Sequence, residues 1–172
     1  MAKLSNRDTI RDLYENSADF YARMMDVGAG LSRRSDTLER LRDRITDTPG
    51  LLIDTACGSG HMLFLYRKTC DGQRPILGVD LSPRAVTLAS KRLGRQATVA
   101  VGDMCDLSTI KAASAAAVIN FFALHHLDQK DVQRALKEWY RVLSSRGQLL
   151  LAAWEGCGHI EYSENTSIVA LK

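Results

Sequence analysis

The chain has 172 residues, of which 45% are hydrophobic and 25% charged, a balance typical of a globular domain with a buried core. Its net charge of +3 comes from 23 basic and 20 acidic residues that are interspersed along the chain, which argues against a nucleic-acid partner. No apolar run is long enough to cross a bilayer, and the polar residues 1–11 lack the apolar segment of a secretory signal. We therefore expect a cytoplasmic protein that makes no membrane contact.

The four cysteines give no sign of a metal site or of a disulfide framework. They lie at positions 57, 70, 105 and 157 and form no C-x-x-C pair. We expect such a chain to keep its thiols reduced and to bind no metal.

The first 48 residues are predicted to form a helical lid or cap. Apolar side chains recur at helical spacing over residues 8–25, with a weak point near Asn16 and Ser17. A loop at residues 27–30 and a second helix at residues 35–45 are expected to follow. Pro49-Gly50 then ends the helical region.

Strands and helices alternate over residues 49–156. The predicted strands are residues 51–55, 76–80, 97–101, 116–122 and 148–154. The predicted helices are residues 60–69, 83–93 and 108–113, and a further helix that follows Asp128. Ser82 and Asp128 are expected to cap their helices, and Pro83 suits a first helical position. The predicted fold class is α/β, a Rossmann-like, mainly parallel sheet with helices on both faces.

The first strand ends in Asp54 and is followed by a turn that contains Gly58 and Gly60. A strand, a glycine turn and a helix N-terminus bring backbone N–H groups close to a nucleotide-like ligand. Asp80 ends the second strand, where a carboxylate can accept hydrogen bonds from both hydroxyls of a ribose. This pattern predicts an adenosine-type cofactor.

Polar and apolar side chains also follow the later strands. They are Gly102, Asp103 and Met104 after the third strand, and Asn120, Phe121, Phe122, His125 and His126 after the fourth. The carboxyl ends of parallel strands meet at one edge of a sheet, so we expect these groups to share one site. Leu81 and Met104 could enclose an adenine ring, and Asp103 could accept a hydrogen bond from its amino group.

Four motifs together resemble those of class I S-adenosylmethionine (SAM)-dependent methyltransferases of the small-molecule type: D-x-A-C-G-S-G at 54–60, G-V-D-L-S at 78–82, G-D-M at 102–104 and L-H-H-L at 124–127. The resemblance covers residues 51–154 and implies a seven-stranded sheet with SAM across the strand ends. The SAM-binding residues that it implies are Tyr21 in the lid; Asp54, Ala56, Cys57, Gly58 and Gly60 at the methionyl end; Asp80 at the ribose; Leu81, Asp103 and Met104 around adenine; and Asn120 and Phe121 beside the sulfonium.

The resemblance implies in-line transfer of a methyl group from SAM to a small-molecule N or O nucleophile, leaving S-adenosylhomocysteine. A nicotinamide-dependent Rossmann enzyme is less favoured, because its G-x-G-x-x-G fingerprint needs a glycine where this chain has Leu63. Asp54 would also repel a pyrophosphate, whereas it suits the ammonium group of an amino-acid tail. A SAM-binding regulatory or truncated subunit without catalytic activity is the other alternative.

Several single residues allow more than one interpretation. His125 is the candidate catalytic base for a hydroxyl acceptor, although a packing or capping role is the favoured interpretation of one of the two histidines, His125 and His126. Adjacent histidines point to different sides, so we expect no shared metal. Cys57 is interpreted as a small residue that fits the turn, Asp54 could satisfy loop N–H groups without touching a ligand, and Asp106 is expected to cap the short helix that follows.

The resembled fold continues with an antiparallel pair of strands that this sequence is predicted to lack. Residues 157–172 form a short tail, in which residues 165–167 indicate the cap of one terminal helix. The predicted strand at 148–154 is too apolar for a solvent-exposed edge. We therefore expect its edge to be covered by a second copy in a homodimer, by a partner chain, or by residues 160–171.

Overall fold

A computed structural model describes residues 6–27, 31–153, 159–162 and 166–169. Its helices are α1 (Asn6–Val27), α2 (Leu31–Ile45), α3 (His61–Thr69), α4 (Pro83–Leu93) and α5 (Gln129–Val142). Its strands are β1 (Leu51–Asp54), β2 (Ile76–Asp80), β3 (Thr98–Val101), β4 (Ala115–Phe121), β5 (Leu143–Ala152), β6 (His159–Tyr162) and β7 (Thr166–Val169). Short 3-10 helices span Gly94–Gln96 and Leu124–His126.

Five strands form one parallel sheet in the order β3-β2-β1-β4-β5. From the central strand β1 the chain builds outwards on one side through β2 and β3, and then crosses to β4 on the other side. This reversal opens a crevice beyond the carboxyl ends of β1 and β4, which is where α/β proteins bind their ligands. The parallel sheet with its flanking helices confirms the predicted fold class.

Successive side chains of β1 enter two cores on opposite faces of the sheet. Leu52 packs in the core that contains Leu38 of α2 and Tyr66 of α3. Its neighbour Ile53 packs in the core that contains Trp139 of α5. Because both faces are covered, the inner strands must be apolar along their whole length, and β4 is buried from Ala115 to Asn120.

Both predicted caps are present. Ser82 Oγ accepts a hydrogen bond from the Ala85 N–H at 3.0 Å, and Asp128 Oδ1 accepts one from the Asp131 N–H at 2.8 Å. Each bond satisfies one of the donors that a helix leaves free in its first turn. α4 and α5 therefore begin at the predicted residues.

The N-terminal helix is longer and more regular than predicted. α1 continues through Asn16 and Ser17 without the expected weak point. The Ser17 hydroxyl donates to the Leu13 carbonyl at 2.7 Å, a bond within the helix that leaves its backbone ladder intact.

Two local predictions between β3 and β5 were wrong. Residues 108–113 form turns instead of a short helix, and Asp106 Oδ1 accepts from the Ser108 N–H at 3.1 Å within a turn. β5 begins at Leu143, which pairs with Ala115 of β4, whereas this strand was predicted to begin at residue 148. Pairing with a buried neighbouring strand thus overrides the polar local sequence at this point.

β5 forms one edge of the main sheet, and its side chains alternate in exposure. Leu149 and Leu151 are 42% and 40% exposed, whereas Leu150 between them packs against the core. The period of two is that of a strand with one covered face. Its outer backbone groups have no strand partner in the part of the chain that the structure describes.

The last two strands are separate from this sheet. β6 and β7 pair antiparallel with each other, with Ile160 opposite Ile168, and form a two-stranded sheet. An antiparallel pair of strands therefore follows β5, although none was predicted, but it does not extend the main sheet. The terminal helix predicted around residues 165–167 is therefore wrong for 166–167, which belong to β7; residue 165 lies outside the described residues. Among the helices described, none has the length and apolar character needed to cross a membrane.

Candidate cofactor and acceptor site

The carboxyl ends of the strands and the inner face of α1 line a cavity of about 240 Å³. We call the strand-end loops its floor and α1 its roof. Ten of the thirteen predicted site residues line it: Tyr21, Asp54, Ala56, Cys57, Gly58, Asp80, Leu81, Met104, Phe121 and His125. Gly60, Asp103 and Asn120 do not.

Asp80 ends β2 and presents its carboxylate to the cavity. Oδ2 accepts a hydrogen bond from the Gly58 N–H at 2.8 Å, and Oδ1 accepts one from the Ser82 N–H at 3.0 Å. Burial raises the pKa of Asp80, and these N–H groups act in the opposite direction. Each carboxylate oxygen has a second lone pair, so this group can still accept hydrogen bonds from two neighbouring hydroxyls.

The turn after β1 is held in a conformation that suits glycine. Gly58 has a φ of 51°, in the left-handed region, and a side chain added there would meet no atom within 4 Å. The left-handed backbone conformation therefore favours glycine at this position, although there is space for a side chain. The turn leaves bare backbone facing the cavity, as close approach of a ligand requires.

Gly60 has a different structural explanation. It also has a positive φ of 80°, but a Cβ at this position would lie 3.1 Å from Leu93 Cδ1 and 3.2 Å from Ala89 Cβ. Its lack of a side chain allows the start of α3 to pack closely on α4. A direct role in cofactor binding remains a prediction for this residue.

Asp54 lies at the end of β1 and is only 2% exposed. Its Oδ1 accepts a hydrogen bond from the Ala56 N–H at 3.2 Å. Burial raises the pKa of Asp54 to about 7, and the nearby Asp80 carboxylate raises it further. The same burial raises the pKa of the Cys57 thiol, so Cys57 is an unreactive wall residue in the free protein.

Asp103 does not line the cavity. Its Oδ2 accepts a hydrogen bond from Arg7 of α1 at 2.7 Å, and its Oδ1 accepts one from the Cys105 N–H at 2.8 Å. The Arg7 guanidinium also bridges to Asp131 on α5. Asp103 therefore joins the roof to the floor in this structure, and its role at adenine remains a prediction.

Asn120 is fully buried beneath the cavity. Its Nδ2 donates to Thr55 Oγ1 at 3.1 Å, and its Oδ1 accepts from the Leu124 N–H at 3.1 Å. These bonds tie the end of β4 to the end of β1 and to the loop that carries the histidines. In this structure Asn120 positions the floor, while the next residue, Phe121, reaches the cavity.

The loop after β4 brings both imidazoles to the cavity with their ring centroids 4.1 Å apart, so the expectation that adjacent histidines point to different sides was wrong. The His126 Nε2 and the Tyr14 hydroxyl of α1 lie 2.6 Å apart, and burial lowers the pKa of His126 to about 4. Both ring nitrogens of His125 are buried without a hydrogen-bond partner among the described residues. Burial also lowers the pKa of His125. Both rings are thus neutral near neutral pH.

A row of polar contacts holds α1 over the cavity. Glu15 accepts hydrogen bonds from Ser82 Oγ at 2.6 Å and from the Arg84 N–H at 2.9 Å. Asp19 forms an ion pair with Arg84 at 2.8 Å. The contact with Ser82 holds the pKa of Glu15 below its usual value.

The far end of α1 is held in the same way. Asp26 forms an ion pair with Arg92 at 3.0 Å and lies 2.8 Å from His61 Nε2. Sequence reasoning missed His61 and Tyr14 as cavity residues. For Tyr14 a signal existed, because it shares a helical face with the predicted Tyr21.

No group of three or more histidine, cysteine, aspartate or glutamate side chains is placed to hold a metal within the described ranges. The cavity brings together the buried Asp54, the half-buried Asp80, a bare glycine turn, two imidazoles and apolar walls.

The strand order, the glycine turn after β1 and the acid that ends β2 together define the fold of class I SAM-dependent methyltransferases. A family described as the methyltransferase domain matches residues 53–151, which is more than half of the chain. The chain belongs to this family.

Two curated relatives extend over nearly the whole chain. The chain is 29% identical over 148 residues to the mouse (Mus musculus) protein named Probable tRNA methyltransferase 9B, which covers 84% of this chain and 29% of that protein. It is 24% identical over 148 residues to an uncharacterized methyltransferase of Bacillus licheniformis, covering 81% of this chain and 65% of that protein. The chain thus spans less than two thirds of either relative.

Two solved structures share the fold. A candidate SAM-dependent methyltransferase from Methanococcus maripaludis superposes with a TM-score of 0.71 at 19% identity, over 89% of this chain and 67% of that one. A complex of the Haloferax volcanii Trm112 methyltransferase activator with a candidate methyltransferase gives a TM-score of 0.68 at 24% identity, over 83% of this chain and 59% of that one. At these identities the likeness shows the fold alone.

Proposed function

We propose that the domain binds SAM in the cavity and transfers its methyl group to an N or O nucleophile of a small molecule. The observation that carries this proposal is the pairing of Asp80 with the bare Gly58 turn at the carboxyl ends of β2 and β1. Adjacent hydroxyls of a ribose fit the free lone pairs of Asp80. The left-handed glycine turn leaves room for the rest of the ligand.

Asp54 is proposed to hold the amino-acid end of SAM. It is the second carboxylate of the floor, and its buried position makes a cationic partner favourable. Leu81 and Met104 supply the apolar surfaces on either side of adenine. When bound, SAM supplies an electrophilic methyl group on its sulfonium sulfur.

The residues of the chain are proposed to act mainly by positioning. Methyl transfer is an in-line displacement, so alignment at roughly 3–3.5 Å can supply much of the rate acceleration. The apolar face of α1 keeps water from the reacting groups while the roof is closed. His125 is the candidate base for a hydroxyl acceptor.

A small molecule is favoured over a nucleic acid as the acceptor, although one relative is named as a tRNA methyltransferase. No lysine or arginine lines the cavity in the described part of the chain. Nucleic-acid binding depends on cations that neutralise phosphates. Arg7 of α1 and Arg84 and Arg92 of α4 are already paired with carboxylates.

A second candidate function is a SAM-binding subunit that needs a partner for activity. The unpaired edge of β5 supports it, and a structural neighbour was solved as a complex with an activator. A second copy of this chain or another protein chain is proposed to cover that edge.

Calorimetry with SAM, S-adenosylhomocysteine and NAD tests the cofactor assignment. We expect micromolar binding of the first two, about −8 kcal/mol, and no heat with NAD. Preference for NAD would exclude the methyltransferase activity. A methyl-transfer assay with panels of amines and hydroxyl compounds, and with tRNA, then tests the acceptor class. SAM binding without transfer to any acceptor would favour the non-catalytic subunit.

A further inference from the structure

One wall of the cavity consists almost entirely of rings. It comprises Tyr14 from α1 and Phe122, His125 and His126 from the loop after β4, and we call it the acceptor wall. The ring centroids of Tyr14 and His126 are 5.4 Å apart, and those of His125 and His126 are 4.1 Å apart. It lies on the β4 side of the cavity, whereas the groups proposed to hold SAM follow β1, β2 and β3.

The acceptor wall bears no formal charge. The only carboxylates that line the cavity within the described residues are Asp54 and Asp80, and no lysine or arginine lines it. An anionic acceptor would lose its hydration without gaining a cation. The charge pattern therefore disfavours phosphate and carboxylate acceptors, and the flat rings favour a flat, apolar molecule.

His125 is the polar group of this wall that lacks a partner. Both of its nitrogens are buried and have no hydrogen bond among the described residues, whereas the His126 ring is held by Tyr14. A buried polar group without a partner is costly, and a ligand can supply that partner. A neutral imidazole has one nitrogen that accepts a hydrogen bond, which suits a hydroxyl donor.

Phe122 occupies a strained backbone conformation beside these rings. Its φ is 55°, in the left-handed region that a bulky residue rarely adopts. The Phe122 N–H donates to the Ala152 carbonyl at 2.7 Å, which fixes the residue against β5. Strain held in this way at a cavity wall is typical of a residue placed for a ligand.

We propose that the acceptor is an uncharged aromatic hydroxyl compound, a phenol, whose hydroxyl donates a hydrogen bond to a ring nitrogen of His125. This inference rests on the proposed function. During transfer the phenol oxygen bonds to the methyl carbon while the carbon–sulfur bond breaks, and that electron pair stays on sulfur. The hydroxyl proton passes to His125 and then to water. The products are an aryl methyl ether, S-adenosylhomocysteine and a proton.

Binding to the protein loaded with S-adenosylhomocysteine tests the inference without turnover. The ligands are four matched toluene derivatives: 4-methylphenol, 4-methylanisole, 4-methylphenyl phosphate and 4-methylbenzylamine. We expect 4-methylphenol, which stays uncharged at neutral pH, to bind roughly fivefold to tenfold more tightly than 4-methylanisole, since the ether cannot donate the hydrogen bond. The phosphate and the amine should bind more weakly than the phenol.

Variants assign the preference to one residue. His125→Leu should abolish the difference between phenol and anisole while leaving S-adenosylhomocysteine binding unchanged. His125→Gln retains an acceptor oxygen and should keep part of the difference, and Arg95→Ala, on the exposed Gly94–Gln96 turn, should keep all of it. Equal binding of phenol and anisole by the unaltered protein, or tighter binding of the phosphate or the amine, would overturn the inference. Failure to bind S-adenosylhomocysteine at all would instead reject the proposed function.

Discussion

The floor of the cavity and its roof are held by different kinds of interaction. In the floor, Asp54 and Asn120 are almost completely buried, and both make hydrogen bonds with neighbouring loops and strands. In the roof, Asp19 and Asp26 are half-exposed, and their ion pairs with α4 are open to water. Buried polar contacts are costly to break, whereas exposed ion pairs contribute little. We therefore expect the floor to keep its shape while the roof opens and closes.

The weaker attachment of the roof than of the floor explains how a ligand could enter the cavity. α1 covers the cavity with an apolar face, and polar contacts fasten it at Arg7, Glu15, Asp19 and Asp26. The half-exposed ion pairs of Asp19 and Asp26 can be exchanged for water at small cost, whereas Arg7, which bonds both carboxylate oxygens of Asp131, should be the strongest of these contacts. Local opening of such an element requires much less free energy than global unfolding. The largest effects of substitution are therefore expected in the floor.

The largest effect is expected at Asp80. Asp80→Ala should weaken SAM binding by about 1.5–3 kcal/mol, because a charged acceptor for the ribose hydroxyls is lost. The variant should also be less stable, since the N–H groups of Gly58 and Ser82 lose their acceptor. Calorimetry and thermal unfolding measure the two effects. Asp47→Ala, at an exposed position before β1, is the matched control. Unaltered SAM affinity in a folded Asp80→Ala variant would show that the ribose is held elsewhere.

Sequence alone predicted much of the floor, because its geometry is encoded locally. The Gly58 turn, Asp80 and the Ser82 cap lie within short motifs whose conformation neighbouring residues determine. The places of Asp103 and Asn120 depend on partners far away in the chain, 96 residues for Arg7 and 65 for Thr55. No local pattern indicates such pairings.

The errors in the roof and at the sheet edge also arise from contacts between residues that are distant in the sequence. Tyr14 shows only helical periodicity in the sequence, and its contact with His126 depends on how α1 crosses the strand ends. The start of β5 at Leu143 is set by pairing with Ala115, which overrides a polar sequence typical of a loop.

The next largest effect is expected at Asp54 and depends on pH. The folded protein raises the pKa of Asp54 to about 7, so between the usual carboxyl pKa and 7 it holds a proton that the unfolded chain has released. The stability of the free protein should therefore fall as pH rises through this window and level off above it. The raised pKa of Asp80 acts with the same sign.

Asp54→Asn isolates the contribution of this residue. The variant should be more stable than the parent at pH 8 by on the order of 1–3 kcal/mol. Its free energy of unfolding should also depend less on pH between about pH 4 and 7. If Asp54 holds the ammonium end of SAM, parent affinity should rise with pH through about 7, and this rise should be absent in Asp54→Asn. Chemical denaturation and calorimetry across this range provide both measurements. Equal SAM affinity of parent and variant at pH 8 would place the ammonium group elsewhere.

A smaller effect is expected in the roof. Arg84→Met removes the ion pair with Asp19 but keeps the backbone N–H that Glu15 accepts. Hydrogen exchange should become faster along α1 and stay unchanged in β1 and β4, with SAM affinity altered less than in Asp80→Ala. Arg11→Met is the control, because Arg11 forms its ion pairs with Asp8 and Asp12 within α1 itself. Faster exchange in the floor strands would show that roof and floor are not independent.

The smallest effect on the site is expected from the edge of β5, which lies apart from the cavity residues and tests a different property. Two exposed leucines, Leu149 and Leu151, stand on an edge strand whose outer backbone groups find no strand in the described residues. Such edges tend to pair with another chain, and two copies can pair through equivalent surfaces.

We expect sedimentation to show a dimer or larger species at micromolar concentration. Replacing both leucines by lysine should shift it towards monomer, with SAM affinity unchanged. If the parent protein is monomeric and its β5 amides exchange slowly with solvent, its own residues after 153 cover the edge. If it is monomeric and these amides exchange quickly, the edge is stable while exposed to water.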